Sequence, residues 1–313
     1  MQKVYVSGSI AFDYLMITTL SLKGLSFPEQ GTATHSIIAN DLFKNDGGTA
    51  GNIAHNLSLL SVQSSVVTSV GSDAQQYLAR LASRNIDVSS VTIVPDCSTA
   101  HASALTDSVG NQIFFFCPGA MDIPSKLPEA VSGWAIVAPG NHVDMKSFPE
   151  KYRSLKVPYI YDPGQMIHSM SAEALIDGCT GAHTLIMNEF EWGEFSRKTG
   201  LSIEDALTRS EVVIVTRGEQ GASVYGREKQ YVVPAVSVQA IDTMGAGDAF
   251  RAGYIFGIMH GATLEIAAFI GCTLASFSVE KRGTQTHNPS RHEIAERYTR
   301  TYAQPFPEYT GQL

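Results

Sequence analysis

Trp134-Ala135-Ile136-Val137-Ala138-Pro139-Gly140-Asn141 sets the rhythm that decides the fold. Five apolar residues run into a polar, turn-forming tip. The same pattern returns at Tyr159–Tyr161 before Asp162-Pro163-Gly164-Gln165, at Thr184–Met187 before Asn188-Glu189, and at Val212–Val215 before Thr216-Arg217-Gly218. Helical stretches separate these short runs. Buried strands alternating with helices predict the α/β class, with a parallel sheet covered by helices on both faces. In such sheets the site lies beyond the carboxyl ends of the strands, where these polar tips fall. Val4–Ser7, ending at Gly8-Ser9 with Asp13 just beyond, reads as a first strand of the same kind.

Working outward, Ala50–Leu60 has helical spacing and Ser65–Val70 reads as a strand. Gly71-Ser72-Asp73 supplies a turn and helix cap before a helix over Tyr77–Arg84. Thr99–Thr106 and Gln112–Phe116 flank Gly110 as a hairpin, and Ala222–Tyr225 with Gln230–Val233 form another. Residues 14–46 lack helical period and are punctuated by Gly24, Pro28 and Gly31. They read as short strands and loops of a small sheet outside the main core. Phe250 to Ala268 has helical spacing. No composition shift marks a linker, so the expectation is one core domain carrying a small lid.

The chain has 313 residues, 44% hydrophobic and 17% charged, enough for a large core. Its net charge of −8 argues against nucleic acid and anionic membranes as partners. No run approaches the ~20 apolar residues of a membrane span. Lys3 followed by Val4-Tyr5-Val6 does not read as a signal peptide. Cys97, Cys117, Cys179 and Cys272 lie far apart without metal-like spacing, which suggests reduced core thiols in a cytoplasmic protein.

Chemistry concentrates in two glycine-rich stretches. Residues 241–253 read Ile-Asp-Thr-Met-Gly-Ala-Gly-Asp-Ala-Phe-Arg-Ala-Gly, placing Gly245, Ala246 and Gly247 at a helix N-terminus. Uncovered amides and the positive end of the helix dipole there suit an anion such as phosphate. Asp248 beside that cradle makes sense as a base for an attacking hydroxyl. A tight chain reversal with a dipole-satisfying Asp is the plainer alternative. Residues 47–56 read Gly-Gly-Thr-Ala-Gly-Asn-Ile-Ala-His-Asn. Asp13 can accept two hydrogen bonds from a vicinal diol, and with Gly48 and Asn52 it looks suited to gripping a sugar ring. A glycine-rich helix start capped by Asn is the competing reading.

Gly47 to Ala54 meets the pattern Gly-Gly-x-x-x-Asn-x-Ala, and Asp242 to Asp248 meets Asp-Thr-x-Gly-Ala-Gly-Asp. In this order they resemble the two signatures of the ribokinase-like (PfkB-type) carbohydrate and nucleoside kinases. Within that family the chain looks most like bacterial adenosine and broad-specificity nucleoside kinases. Gly8 to Asp13, Cys117-Pro118-Gly119-Ala120-Met121, Asp162 to Gln165, Asn188 to Trp192 and Gly283-Thr284-Gln285 add to the match.

The resemblance implies a three-layer α/β/α sandwich with a mostly parallel sheet over 1–313, and a β-sheet lid from about 14–46 and 99–117. It implies ATP and Mg2+ as cofactors and phosphorylation of the 5′-hydroxyl of a purine nucleoside. Asp248 would then be the base, Gly245, Ala246 and Gly247 the anion hole, and Asp13, Gly48 and Asn52 the ribose grip. Asn188 and Glu191 match the family's Asn-x-x-Glu motif, which organises magnesium and phosphates through water; a helix cap with an exposed Glu is the other reading. Thr216 and Gly218 match the nucleotide-phosphate loop. Asp242 falls where many relatives hold a monovalent cation such as K+, with carbonyls near Val279 and Gly283.

Base contacts are less legible. Phe116 could stack on a purine, and Ser9 and Gln165 could touch base or ribose; a Phe-Phe-Phe strand also reads as core with one lid contact. Ala102, after His101, stands where some adenosine-specific relatives place an aromatic, which favours inosine or guanosine as additional substrates. Arg251 reads equally as a phosphate contact or as partner to a core carboxylate, and Arg217 as exposed. Relatives occur as monomers and as homodimers through the lid. The alternative within the family is a sugar kinase acting on ribose or fructose. No Gly-x-Gly-x-x-Gly after the first strand supports an oxidoreductase, and no Walker-type loop is present.

Overall fold

The computed structural model describes residues 3–23, 25, 32 and 34–307. The chain begins with β1 (Lys3–Ser7), then β2 (Ala11–Ile17), β3 (Asp41–Gly47), α1 (Thr49–Leu59), β4 (Ser64–Gly71), α2 (Gln75–Ser83) and β5 (Val91–Val94). The hairpin β6 (Ala100–Thr106) and β7 (Gln112–Cys117) follows. Next come β8 (Gly133–Val137), α3 (His142–Leu155), β9 (Tyr159–Tyr161), α4 (Ala172–Cys179), β10 (Thr184–Asn188), α5 (Glu189–Thr199), α6 (Ile203–Leu207) and β11 (Val212–Thr216). The hairpin β12 (Ala222–Gly226) and β13 (Gln230–Val233) leads into α7 (Ala246–Met259), α8 (Leu264–Val279) and α9 (Arg291–Tyr302).

The main sheet runs β13-β12-β11-β10-β9-β8-β1-β4-β5. It is parallel from β11 to β5; β12 and β13 are antiparallel at one edge. Strand alternation divides the core in two. Val4, Ile136, Ile186 and Ile214 pack with α1, α7, α8 and α9 on one face. Tyr5, Val137, Leu185 and Val213 pack with α3, α4, α5 and α6 on the other. These are the three layers that the strand–helix rhythm predicts.

A second sheet, β3-β2-β6-β7, stands apart from the first. Its register aligns Asn45, Asp13, Ala102 and Phe116 across four neighbouring strands. Residues paired in this way project to one face of a sheet.

Several local expectations change. The spacing from Phe250 to Ala268 belongs to two helices, broken at Gly261 (φ 79°) and restarted where the Thr263 hydroxyl caps α8. Asp73 does not cap α2; its carboxylate takes the Thr99 amide and hydroxyl. β5 is an additional strand. Phe114, Phe115 and Phe116 are not core but 59%, 62% and 49% exposed. Cys179 and Cys272 are buried, whereas Cys97 is half-buried and Cys117 exposed. Gly24, Pro28 and Gly31 lie outside the described residues.

Candidate active site

The first glycine pair closes β1, β2 and α1 onto one point. Gly48 has φ 85°, and a β-carbon there would lie 2.6 Å from both the Ala11 nitrogen and the Ser9 oxygen. Only glycine fits that approach. Ser9 is buried, and its Oγ accepts the Thr49 amide at 3.1 Å, so it secures the start of α1. Gly47 makes room for Asp13, whose Oδ2 would lie 2.1 Å from a β-carbon at position 47. Burial, followed by the charges of Asp242, Asp248 and Asp46, pushes the Asp13 carboxyl up to about 6.

The second motif forms the start of α7. Gly245 is left-handed at φ 76° and packs against Thr284. Ala246, Gly247 and Asp248 make the first turn, whose amides have no helical carbonyl to bond. Asn52 Nδ2 donates to Asp248 Oδ2 at 2.8 Å. Gln285 Nε2 donates to Asn52 Oδ1 at 2.9 Å and to the Tyr77 hydroxyl at 2.5 Å. The Tyr77 hydroxyl in turn donates to the Gly47 carbonyl at 2.8 Å. A continuous chain therefore runs from one glycine motif to the acid of the other. Burial raises Asp248 to about 6, against the lowering pull of Arg251 and the Asn52 hydrogen bond; Glu191 raises it further. Asp248 keeps one oxygen outside this chain, while of the first-turn amides that of Ala246 leans on the Thr243 carbonyl at 3.3 Å.

Asn188 and Thr216 are register partners at the ends of β10 and β11. Asn188 and Glu191 form a reciprocal capping box: Oδ1 takes the Glu191 amide at 2.8 Å and Glu191 Oε2 takes the Asn188 amide at 2.9 Å. The cap thus uses one carboxylate oxygen of Glu191. The other suits a hard cation such as magnesium, which takes oxygen ligands and keeps water. Gly218 is exposed with φ 54°, and nothing lies within 4 Å of a β-carbon built there. Arg217 is half-buried, not exposed, and sits 3.5 Å from Glu189. Gln165 is exposed on the turn after β9.

Asp242, the expected monovalent-cation ligand, ties the loop before α7 to the end of α8. Its two oxygens accept the Met244 and Gly283 amides, and the Val279 carbonyl takes the Ile241 and Asp242 amides. These bonds close the loop on itself.

Arg251 pairs with a core carboxylate: its Nε lies 2.5 Å from Asp162 Oδ2. Tyr77 and Gln285 were not singled out as site residues from sequence. Gln285 stands in the Gly283-Thr284-Gln285 run, which gave a signal without a role; Tyr77 gave none.

The sequence matches the pfkB family carbohydrate kinases over residues 10–291. The chain belongs to that family. It is therefore a kinase. Among its relatives is a nucleoside kinase of Methanocaldococcus jannaschii, 31% identical over 95% of this chain and 97% of its own. The structure of Burkholderia thailandensis nucleoside kinase in complex with inosine superposes with a TM-score of 0.87 at 31% identity, covering 96% of this chain and 99% of that one. The same enzyme in complex with ADP-inosine gives 0.84. The ribokinase-like fold and the family expected from the two motifs are thus borne out.

Proposed function

We propose that this kinase transfers the γ-phosphoryl group of ATP to the 5′-hydroxyl of a purine nucleoside, with inosine and guanosine accepted beside adenosine. The observation that carries this reading is the column Asp13–Ala102–Phe116 on one face of the small sheet. A diol acceptor and an exposed aromatic ring stand two strands apart, roughly 10 Å. That span suits ribose followed by a purine. Ala102 between them leaves the base more room than a second aromatic would.

Asp13 takes the ribose hydroxyls beside Gly48 and Asn52, and Phe116 stacks on the base. Asp248, aligned by Asn52, orients the 5′-hydroxyl and accepts its proton as the oxygen attacks phosphorus. The amides of Gly245, Ala246 and Gly247 hold the phosphoryl oxygens where negative charge gathers. Asn188, Thr216 and Gly218 bear on the nucleotide phosphates, and Glu191 would hold magnesium through water. Magnesium, when bound, neutralises phosphate charge. The small sheet covers the acceptor and excludes water. Two copies join through its outer edge.

An ADP-release assay across adenosine, inosine, guanosine, cytidine, ribose and fructose tests the reading. Turnover of purine nucleosides above the rest is expected. Turnover of free sugars with no nucleoside makes the chain a sugar kinase, and a strong preference for cytidine removes the purine assignment.

A further inference from the structure

A buried ion pair lies directly beneath the anion turn, with no role in the scheme above. Arg251 is 5% exposed and Asp162 2% exposed. Stability is a poor explanation for the pair. Desolvating two charges offsets most of their attraction, and Asp162 Oδ1 is buried with no hydrogen-bond partner. Its position is more informative. Arg251 Nη1 donates to the Gly247 carbonyl at 2.8 Å. A β-carbon at Gly247 would lie 2.7 Å from that same nitrogen. The guanidinium is therefore packed against the glycine of the cradle. Its bond to the Gly247 carbonyl polarises the peptide whose N–H belongs to Asp248, one of the first-turn donors.

We propose that Arg251, locked in place by Asp162, is a positioning residue of the phosphoryl-transfer site, fixing the Gly245–Gly247 turn and countering the negative charge that gathers over it. This rests on Asp248 being the base. The charged groups whose fields reach Asp248 are Arg251 on its own helix, Glu191 of α5, Asp162 after β9 and Asp13 of β2. Arg251 is the single cation of these four. Without it, three carboxylates act on the base and only the Asn52 hydrogen bond opposes them. Without Asp162, the same cation acts on Asp248 undiluted.

The two charges therefore make opposite predictions for one measurement. In Arg251→Met, kcat falls about 10- to 100-fold, less than the ~10²–10³-fold for losing an oxyanion donor outright, because Arg251 acts through the turn. The acidic limb of kcat/KM against pH moves up by about one unit, and the nucleoside KM changes less than about threefold. Arg251→Lys keeps the charge without the planar fork, so it returns the limb to its wild-type position with partial recovery of kcat. Asp162→Asn moves the limb down. Circular dichroism and a melting curve accompany each variant, and the Asp162→Asn arm decides the matter if Arg251→Met does not fold. A limb that stays at the wild-type pH in folded Arg251→Met or Asp162→Asn, or that moves up in Arg251→Lys as far as in Arg251→Met, overturns the inference. Asp248→Asn is assayed alongside. If it retains turnover, the base assignment itself fails; if it is inactive while the limbs stay put, only the role given to Arg251 fails.

Discussion

One oxygen of Asp248 is held by Asn52, which leaves the other for a substrate hydroxyl. Asp248→Asn keeps the shape and removes the base. Turnover should fall by 10³-fold or more, while the nucleoside Kd from calorimetry stays within a few-fold; a Kd that collapses in parallel would mean that the residue binds rather than reacts. Because burial raises this carboxyl to about 6, its active, ionised form is lost below that pH. Plotted against pH at saturating nucleoside, where Asp13 is already engaged, kcat should drop tenfold per unit below about 6 and flatten above it. Gly47→Ala tests the sugar grip, since the new methyl would start 2.1 Å from Asp13 Oδ2. Moving that carboxylate by about an ångström should raise the nucleoside KM on the order of 10²-fold, read from initial rates, with kcat reduced less. Asp13, Asn52 and Asp248 were legible in sequence because glycine spacing fixed their neighbourhoods. The Arg251–Asp162 pair could be guessed only as one of two options, because its members come from separate elements that the fold alone brings together.

Among the elements, α1 is tied to the loop after α8 by a polar chain inside the core. His55 Nε2 donates to the His287 carbonyl at 3.1 Å, and His287 Nε2 donates to Asn56 Oδ1 at 2.8 Å. Asn56 Nδ2 then donates to the Asn52 carbonyl at 2.9 Å. The two rings meet edge-on at 5.0 Å, and neither Nδ1 has a partner. Burial first, then neighbouring cationic groups, lowers His55 to about 3 and His287 to about 4. The unfolded chain takes up these protons near pH 6.5, so this contribution to stability is present above 6.5 and is lost as the pH falls towards 4. By pH 5 the loss is about 2 kcal/mol per ring. Asp13 and Asp248, both raised to about 6, work in the opposite sense, favouring the fold as the pH drops. A His55→Gln/His287→Gln variant keeps only the acid gain. Its urea midpoint should fall less between pH 7 and pH 5 than that of the wild type; equal shifts would clear the histidines. Sequence periodicity had no means of finding this chain, nor the break between α7 and α8. Both helices bury most of their surface, so apolar spacing runs through the turn at Gly261 without interruption.

Across the whole molecule, the main sheet was readable because its strands are buried on both faces and end in polar tips. The small sheet was only partly readable. Its strands are half-exposed and pair β2 with β6 across a long stretch of chain, so alternation is weak and the register is set by tertiary contact. What the register adds is a division of labour along β7, an edge strand hydrogen-bonded to β6. Phe116 shares the face of Asp13, whereas Phe115 pairs with Ser103 and projects from the opposite one. An exposed aromatic edge strand is a surface that proteins cover or blunt, and a second copy of the same sheet is the cover proposed here. Sedimentation at tens of micromolar should then give a dimer. Phe115→Asp should yield monomers that keep the nucleoside KM within a few-fold. Phe116→Ala should leave the dimer intact and raise that KM roughly tenfold, as loss of a stacking contact worth about 1–1.5 kcal/mol would. A wild-type monomer at that concentration would rule out the edge as an interface, and a KM effect from Phe115 equal to that from Phe116 would show that the two faces are not separated as the register implies.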